Sequence, residues 1–181
     1  MALIHILCRY VWKGKIGKLR NYFGDIYKHK KINRVDEYGR SALHYAASWA
    51  DINIIRLLLT IQGINLNMKD AHGKTPLFKA VEMRSLACVK LLVEAGAKAR
   101  ITCCDERDVL QYAITEYGDE CFPIIEYLYK ERGLKEMISD KNNMTYLHLA
   151  AIAKKHVSVQ KIIEMLVESG AELDPVEGNR R

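Results

Sequence analysis

The chain has 181 residues, of which 49% are hydrophobic and 28% charged, with 11 Gly and 3 Pro. This composition excludes wholesale disorder and collagen-like or linker-rich sequence, and the length corresponds to about one domain. No uncharged apolar run approaches the ~18 residues of a membrane-spanning helix, so no membrane partner is expected.

The net charge of +6 is uneven: residues 1–35 hold nine Lys/Arg against Asp25 alone, and residues 36–181 hold 19 against 21 acids. The apolar start, Met1 to Cys8, has neither a preceding basic stretch nor a small-residue cleavage site, and reads as structure rather than a signal peptide. Leu3, Ile6 and Leu7 share one helix face. Gly14 marks a turn, and Ile16, Leu19, Tyr22 and Phe23 build a second helix. Lys13, Lys15, Lys18, Arg20, Lys28, Lys30, Lys31 and Arg34 form a basic end, which reads first as a solvated cap. The alternatives are phosphate contacts to nucleic acid and, at Lys28-His29-Lys30-Lys31, a short nuclear import signal. Residues 14–18 are not a phosphate loop, because Trp12 stands where its first Gly belongs and Leu19 replaces its Ser/Thr. They also match a bare Gly-x-x-Gly RNA clamp, which is weaker than the turn reading of Gly14.

From residue 36 the chain repeats itself. Asp36-Glu37-Tyr38-Gly39-Arg40-Ser41-Ala42-Leu43-His44-Tyr45-Ala46-Ala47 aligns with Asp70-Ala71-His72-Gly73-Lys74-Thr75-Pro76-Leu77-Phe78-Lys79-Ala80-Val81. A degraded copy runs Asp108 to Ile114, and a further one Asp140 to Ala151. Leu43, Leu77, Leu110 and Leu147 mark the period. Each copy is followed by a second amphipathic segment: residues 54–59, 88–93, 124–129 and 162–167. Gly96 and Gly170 suit left-handed helix ends, and Gly63 and Gly133 occupy equivalent turns.

This pattern resembles the ankyrin repeat, whose signature is Thr-Pro-Leu-His-x-Ala in a unit of about 33 residues. Thr75-Pro76-Leu77 is the best local match, with Ser41-Ala42-Leu43-His44 and Thr145-Tyr146-Leu147-His148 close behind. The Ser or Thr caps the first helix, and Pro fits its first turn. The resemblance implies an all-α repeat fold: an ankyrin solenoid of about five helix–turn–helix units with β-hairpin-like connecting loops. The units would be 1–35, 36–69, 70–102, 103–139 and 140–174, in one domain with a polar tail at 175–181. The unit at 103–139 lacks the Gly and the Thr-Pro, has Gln111 where His is usual, and carries extra residues around 116–120. It is expected to be the weak joint of the array. Residues 154–158 are a second insertion, a loop that either binds or has drifted.

Catalytic chemistry finds no support. Five Cys without a framework spacing suggest free thiols in a reducing compartment, and no Cys/His cluster suggests a metal. His44 and His148 occupy the family's capping position, a structural role. No cofactor is expected.

The repeat register places a strip of first-helix and hairpin residues towards a partner. Candidate contacts are Tyr38, Arg40, Trp49, His72, Lys74, Met83, Arg107 and Lys141, with Trp49 as the candidate hot spot. The resemblance implies a non-catalytic protein–protein interaction module, a regulatory or scaffolding subunit like small all-ankyrin regulators. Inhibitors of cyclin-dependent kinases and Plutonium-like cell-cycle proteins belong to that group, so a protein kinase complex in the cytoplasm or nucleus is the expected partner. The alternative is an inhibitor of Rel-type transcription factors, or a viral mimic of one. Nucleic acid binding through the basic N-terminal unit is the less favoured class.

Overall fold

A computed structural model describes residues 32–131, 144–153 and 159–171. Most of the expected first unit, the insertion at 154–158, Gly133, Lys141 and the 175–181 tail lie outside the described residues. Two compact units divide the chain, Met1–Cys104 and Asp105–Arg181.

In the first unit, helices α1 (Ala42–Ser48) and α2 (Ile52–Leu59) form one pair, and α3 (Pro76–Glu82) and α4 (Leu86–Glu94) form the next. Each first helix packs on the next first helix, and each second helix on the next second helix. The sequence dictates the ends. Asp51 accepts a hydrogen bond from the Ile54 N–H (3.0 Å), and Ser85 accepts one from the Cys88 N–H (3.4 Å), satisfying donors the helices leave open. Pro76 sits in the first turn of α3, where its missing N–H costs nothing. At the end of α4 the Ala97 N–H reaches the Leu92 carbonyl and the Gly96 N–H reaches that of Val93. This Schellman closure has Gly96 at φ +100. The first helices close the same way, but through Ala50 and Arg84, both at φ +52. A side chain in that region carries a conformational cost of roughly 1–2 kcal/mol.

The repeat leucines Leu43 and Leu77 are fully buried, as are Ala46, Ala47 and Ala80, whose small side chains let neighbouring helices approach. The connecting loops are hairpin-like: Val35 bridges Ser41 antiparallel, and the Asp70 N–H bonds the Lys74 carbonyl. Successive loops are tied by the Ala71 N–H to the Tyr38 carbonyl (2.8 Å) and the Cys104 N–H to the His72 carbonyl (3.0 Å). Asparagines tie the other edge. Asn33 Oδ1 accepts from the Asn65 N–H, and Asn67 Oδ1 from the Lys98 N–H, each at 2.8 Å.

In the second unit, α5 (Val109–Tyr117) leads into a 3₁₀ turn at Gly118–Cys121, then α6 (Phe122–Glu126) and a π turn at Tyr127–Glu131. Helices α7 (Tyr146–Ile152) and α8 (Gln160–Glu168) follow, with α5 on α7 and α6 on α8. The start of α5 differs from its expected weakness. Asp108 takes the place of the Thr cap, accepting from the Gln111 N–H (2.8 Å), while Gln111 Oε1 accepts from the Asp108 N–H (2.9 Å). This capping box supplies the helix cap that the missing Thr would have given. Glu106 takes the turn position of the missing Gly, at φ +61. The extra residues near 116–120 also acquire a role. Asp119 carboxylate oxygens lie 3.4 Å from the backbone N–H groups of Lys161 and Ile162, at the start of α8. The residue before α8, Val159, has no side chain able to cap it.

Among the described residues Cys88, Cys103, Cys104 and Cys121 are free thiols, and only Cys104 is exposed. No described helix is long and apolar enough to cross a membrane.

Candidate functional site

The hairpin of residues 36–41 is built by one carboxylate. Asp36 Oδ1 accepts from the Tyr38 N–H (2.9 Å) and the Arg40 N–H (2.8 Å), folding the turn around it. Its Oδ2 accepts from Arg40 Nε (2.9 Å) and from the Tyr45 hydroxyl (2.7 Å). Burial pushes this carboxyl up, but these four bonds outweigh it and hold the group below its ordinary value. Asp70 repeats the turn with the N–H groups of His72 and Lys74, both at 2.9 Å.

Fixing Arg40 this way stacks it on aromatic rings. Its guanidinium carbon is 4.6 Å from the Tyr38 ring centre and 4.9 Å from that of Tyr45, within cation–π range. Tyr45 in turn meets Trp49, ring centres 5.6 Å apart and tilted by 41°. Tyr38, Arg40 and Trp49 are therefore brought together through Tyr45. Tyr38 is 55% exposed and Trp49 43% exposed. Arg40 is half-buried rather than solvated, because its charge is spent on Asp36 and the two rings.

The next repeat presents Met83, 47% exposed, at the position equivalent to Trp49. Lys74 folds back from the hairpin to Glu82 (2.6 Å), and Lys79 bridges Asp70 (3.3 Å) and Glu82 (3.2 Å). Lys74 and Lys79 outweigh burial at Glu82 and hold its carboxyl low. Lys74 is thus half-buried within an ion-pair network. His72 lies exposed at the hairpin tip.

In the second unit Arg107 repeats the fold-back. It donates to Thr115 Oγ1 and Glu116 Oε1, both at 2.7 Å, and to Asp105 Oδ2 at 2.9 Å, and lies 5.2 Å from the Tyr112 ring centre. Burial disfavours its charge, but Glu116 and Asp105 more than compensate. Lys141 lies outside the described residues.

The post-turn residues Arg40, Lys74 and Arg107 each fold onto their own first helix. Sequence reasoning missed the ring partners Tyr45 and Tyr112 and, in the middle repeat, Lys79, which shares Glu82 with Lys74. A signal existed: they share one register position, five residues after the basic one. His44 lies beneath the strip, buried. Its Nδ1 faces the Ser41 N–H (3.0 Å) and Ser41 Oγ (2.9 Å), and its Nε2 lies 3.0 Å from the Lys74 carbonyl. Among the described residues no group of three or more His, Cys, Asp or Glu side chains could hold a metal ion. The arrangement suits recognition: exposed aromatic and thioether surface, set among charges already paired within the chain.

A family model described as "Ankyrin repeats (3 copies)" matches residues 8–103. The human "Ankyrin repeat and SOCS box protein 16" is 37% identical over 82 residues, covering 45% of this chain and 18% of that protein. Human "Transient receptor potential cation channel subfamily A member 1" is 25% identical over 171 residues, 94% of this chain and 14% of the channel. An "L-asparaginase" of Dirofilaria immitis is 38% identical over 134 residues, 74% of this chain and 22% of that protein. The chain thus spans less than a quarter of each of these three relatives.

Proposed function

This chain belongs to the ankyrin-repeat family, and from that premise we propose that it docks a protein partner on the strip marked by Tyr38, Trp49 and Met83 and catalyses no reaction. Ankyrin repeats are protein–protein interaction modules. The observation that carries the strip is the coincidence of three large exposed apolar side chains at hairpin and helix-end positions. Their charged neighbours Arg40, Lys74 and Lys79 are each in an ion pair within the chain. Such a surface favours an uncharged, apolar partner segment, since a charged one would have to break existing pairs. Arg40, Lys74 and His72 serve as rim contacts, and Arg107 is a contact proposed on repeat register. Lys141 is proposed as a contact on register alone.

The finer reading is a regulatory or scaffolding role at a cell-cycle protein kinase complex in the cytoplasm or nucleus. It is supported by the resemblance to small all-ankyrin regulators. A Rel-type transcription factor is the second partner class on the same ground. The named activities of the longer relatives stay with those proteins.

The test is capture of a partner from native extract, followed by affinity measurement with Trp49→Ala. A central hot spot costs about 2 kcal/mol or more, roughly thirtyfold in affinity, with the fold intact by circular dichroism. Unchanged affinity removes the strip. A steep log-linear loss of affinity with salt would instead favour phosphate contacts, the nucleic-acid reading.

A further inference from the structure

We propose that Tyr38 is a phosphorylation site for a tyrosine kinase, with Arg40 already stacked beside it to receive the phosphate. The site stands on the hairpin alone, whether or not the strip binds a partner. Among the described tyrosines Tyr38 is the exposed one; Tyr45 and Tyr117 are half-buried and the others buried. Its hydroxyl makes no hydrogen bond among the described residues, whereas that of Tyr45 is held by Asp36 (2.7 Å). Asp36 and Glu37 precede it directly, and kinases discriminate substrates by such charge patterns. Tyr117 provides an internal comparison. Glu116-Tyr117-Gly118 repeats Glu37-Tyr38-Gly39, again with the glycine at positive φ, but Tyr117 packs edge-on against Tyr112, ring centres 6.0 Å apart. The two tyrosines share their immediate neighbours and differ in exposure.

The reaction moves the γ-phosphoryl group of a nucleoside triphosphate to Tyr38 Oη. The bond to the β-phosphate oxygen breaks, a new O–P bond forms, and the hydroxyl proton passes to the carboxylate of the kinase's catalytic loop. Presenting Tyr38 to that loop surrenders two bonds: its N–H to Asp36 Oδ1, and its carbonyl to the Ala71 N–H. Both lie at the hairpin tip, and exposed backbone bonds open most readily. Arg40 then holds the product. Its guanidinium carbon is 4.6 Å from the Tyr38 ring centre. Of its five side-chain N–H donors, the one on Nε is bonded to Asp36 Oδ2. The four on its Nη atoms make no hydrogen bond among the described residues. They are available to phosphate oxygens, which pair with a guanidinium fork. Asp36 and Glu37 oppose the added charge, but Asp36 is already paired with Arg40 and Glu37 is exposed to water. Tyr45, the other ring under Arg40, keeps the guanidinium over the hairpin.

The test incubates the full folded chain with magnesium, ATP and tyrosine kinases that prefer acidic substrates, and maps phosphate by peptide mass over a time course. Phosphate should enter Tyr38 about tenfold or more faster than Tyr117 or Tyr45, because only Tyr38 is reached without opening a helix. Comparable rates at Tyr117, or no entry at Tyr38, overturn the site. Phosphorus NMR of the modified chain then follows the second ionisation of the phosphate, ordinarily near about 6. Replacing Arg40 by Gln should raise it by about 0.5 or more, the loss of one nearby cation, and Arg40→Lys should restore most of the difference. An unchanged value in Arg40→Gln overturns the receiver. The folded wild-type chain against the same sample in urea needs no variant: the folded value should be the lower, and equal values overturn the receiver as well. If Trp49→Ala leaves partner affinity unchanged while Tyr38 still takes phosphate selectively, the strip reading fails and the site stands.

Discussion

Gly73 leaves a side chain less room than Gly39, Gly63, Gly96 or Gly170. Its φ is +70, and a Cβ there would lie 2.8 Å from the Cys104 backbone nitrogen and 3.1 Å from Cys104 Sγ. That nitrogen is itself bonded to the His72 carbonyl, so it cannot retreat without losing the tie between successive hairpins. Gly96, at φ +100, has nothing within 4 Å of the same construction. Gly96→Ala should therefore cost only the left-handed backbone term, roughly 1 kcal/mol. Gly73→Ala should cost that and the displacement of a bonded loop, about 2 kcal/mol or more. Urea denaturation of the two variants gives the comparison, and equal midpoints would mean the hairpin tip yields freely. Gly73 was legible in the sequence as a turn residue. The backbone it touches, 31 residues onward, was not.

At the scale of elements, the departures from the repeat pattern turn out to be coupled. Residues 116–120 look like an insertion that interrupts a helix pair, yet Asp119 sits where α8 lacks a cap of its own. Its contacts are long, so the cap is at the weaker end of the usual range. Asp119→Ala should destabilise by about 0.5–1 kcal/mol, read as a lower thermal midpoint, with faster hydrogen exchange at Lys161 and Ile162. No change at those two amides would show that the carboxylate is a bystander. The Asp108–Gln111 box acts similarly on α5, whose Leu110, Ala113 and Ile114 are fully buried. The Asp108–Gln111 box is a local Asp-x-x-Gln cap pattern that can be read from sequence, but the Asp119 cap cannot, because a cap is defined by which backbone N–H groups a side chain reaches. For Asp119 those lie 42 and 43 residues away.

For the whole molecule, pH separates the forces. Asp36, Asp70 and Glu82 are all held below their ordinary values of 3.8, 3.8 and 4.5 by hydrogen bonds and lysine or arginine partners that outweigh burial. Such groups bind fewer protons folded than unfolded, so the stability they add is present above those ordinary values. It is lost as pH falls through the lower folded ones. His44 also has a lowered folded value, so its contribution is present above 6.5 and is lost as pH falls from there. Thermal midpoints should be flat from pH 8 to about 6.5, fall once towards pH 5, and fall again below about 4. The first fall should be missing in His44→Gln and the second retained. A single fall in both proteins would contradict the separation.

The sequence by itself determined the period, the helix pairs and the buried face. Leu43, Leu77, Leu110 and Leu147, the small Ala positions and the glycine-closed second helices each answer a local need of one helix or of its immediate neighbour. Such needs recur every repeat and leave a readable trace. Only the tertiary structure decided where the charges went and what compensated the irregular repeats. Arg40, Lys74 and Arg107 stand on a register that predicts solvent, but long side chains follow nearby carboxylates and rings: Asp36 in the hairpin and Tyr45 on α1 for Arg40, Glu82 on α3 for Lys74, and Glu116 on α5 for Arg107. The left-handed turns at Ala50 and Arg84 follow the same logic. Neither residue favours that conformation, and the packing of each helix pair imposes it, at a cost the surrounding core outweighs.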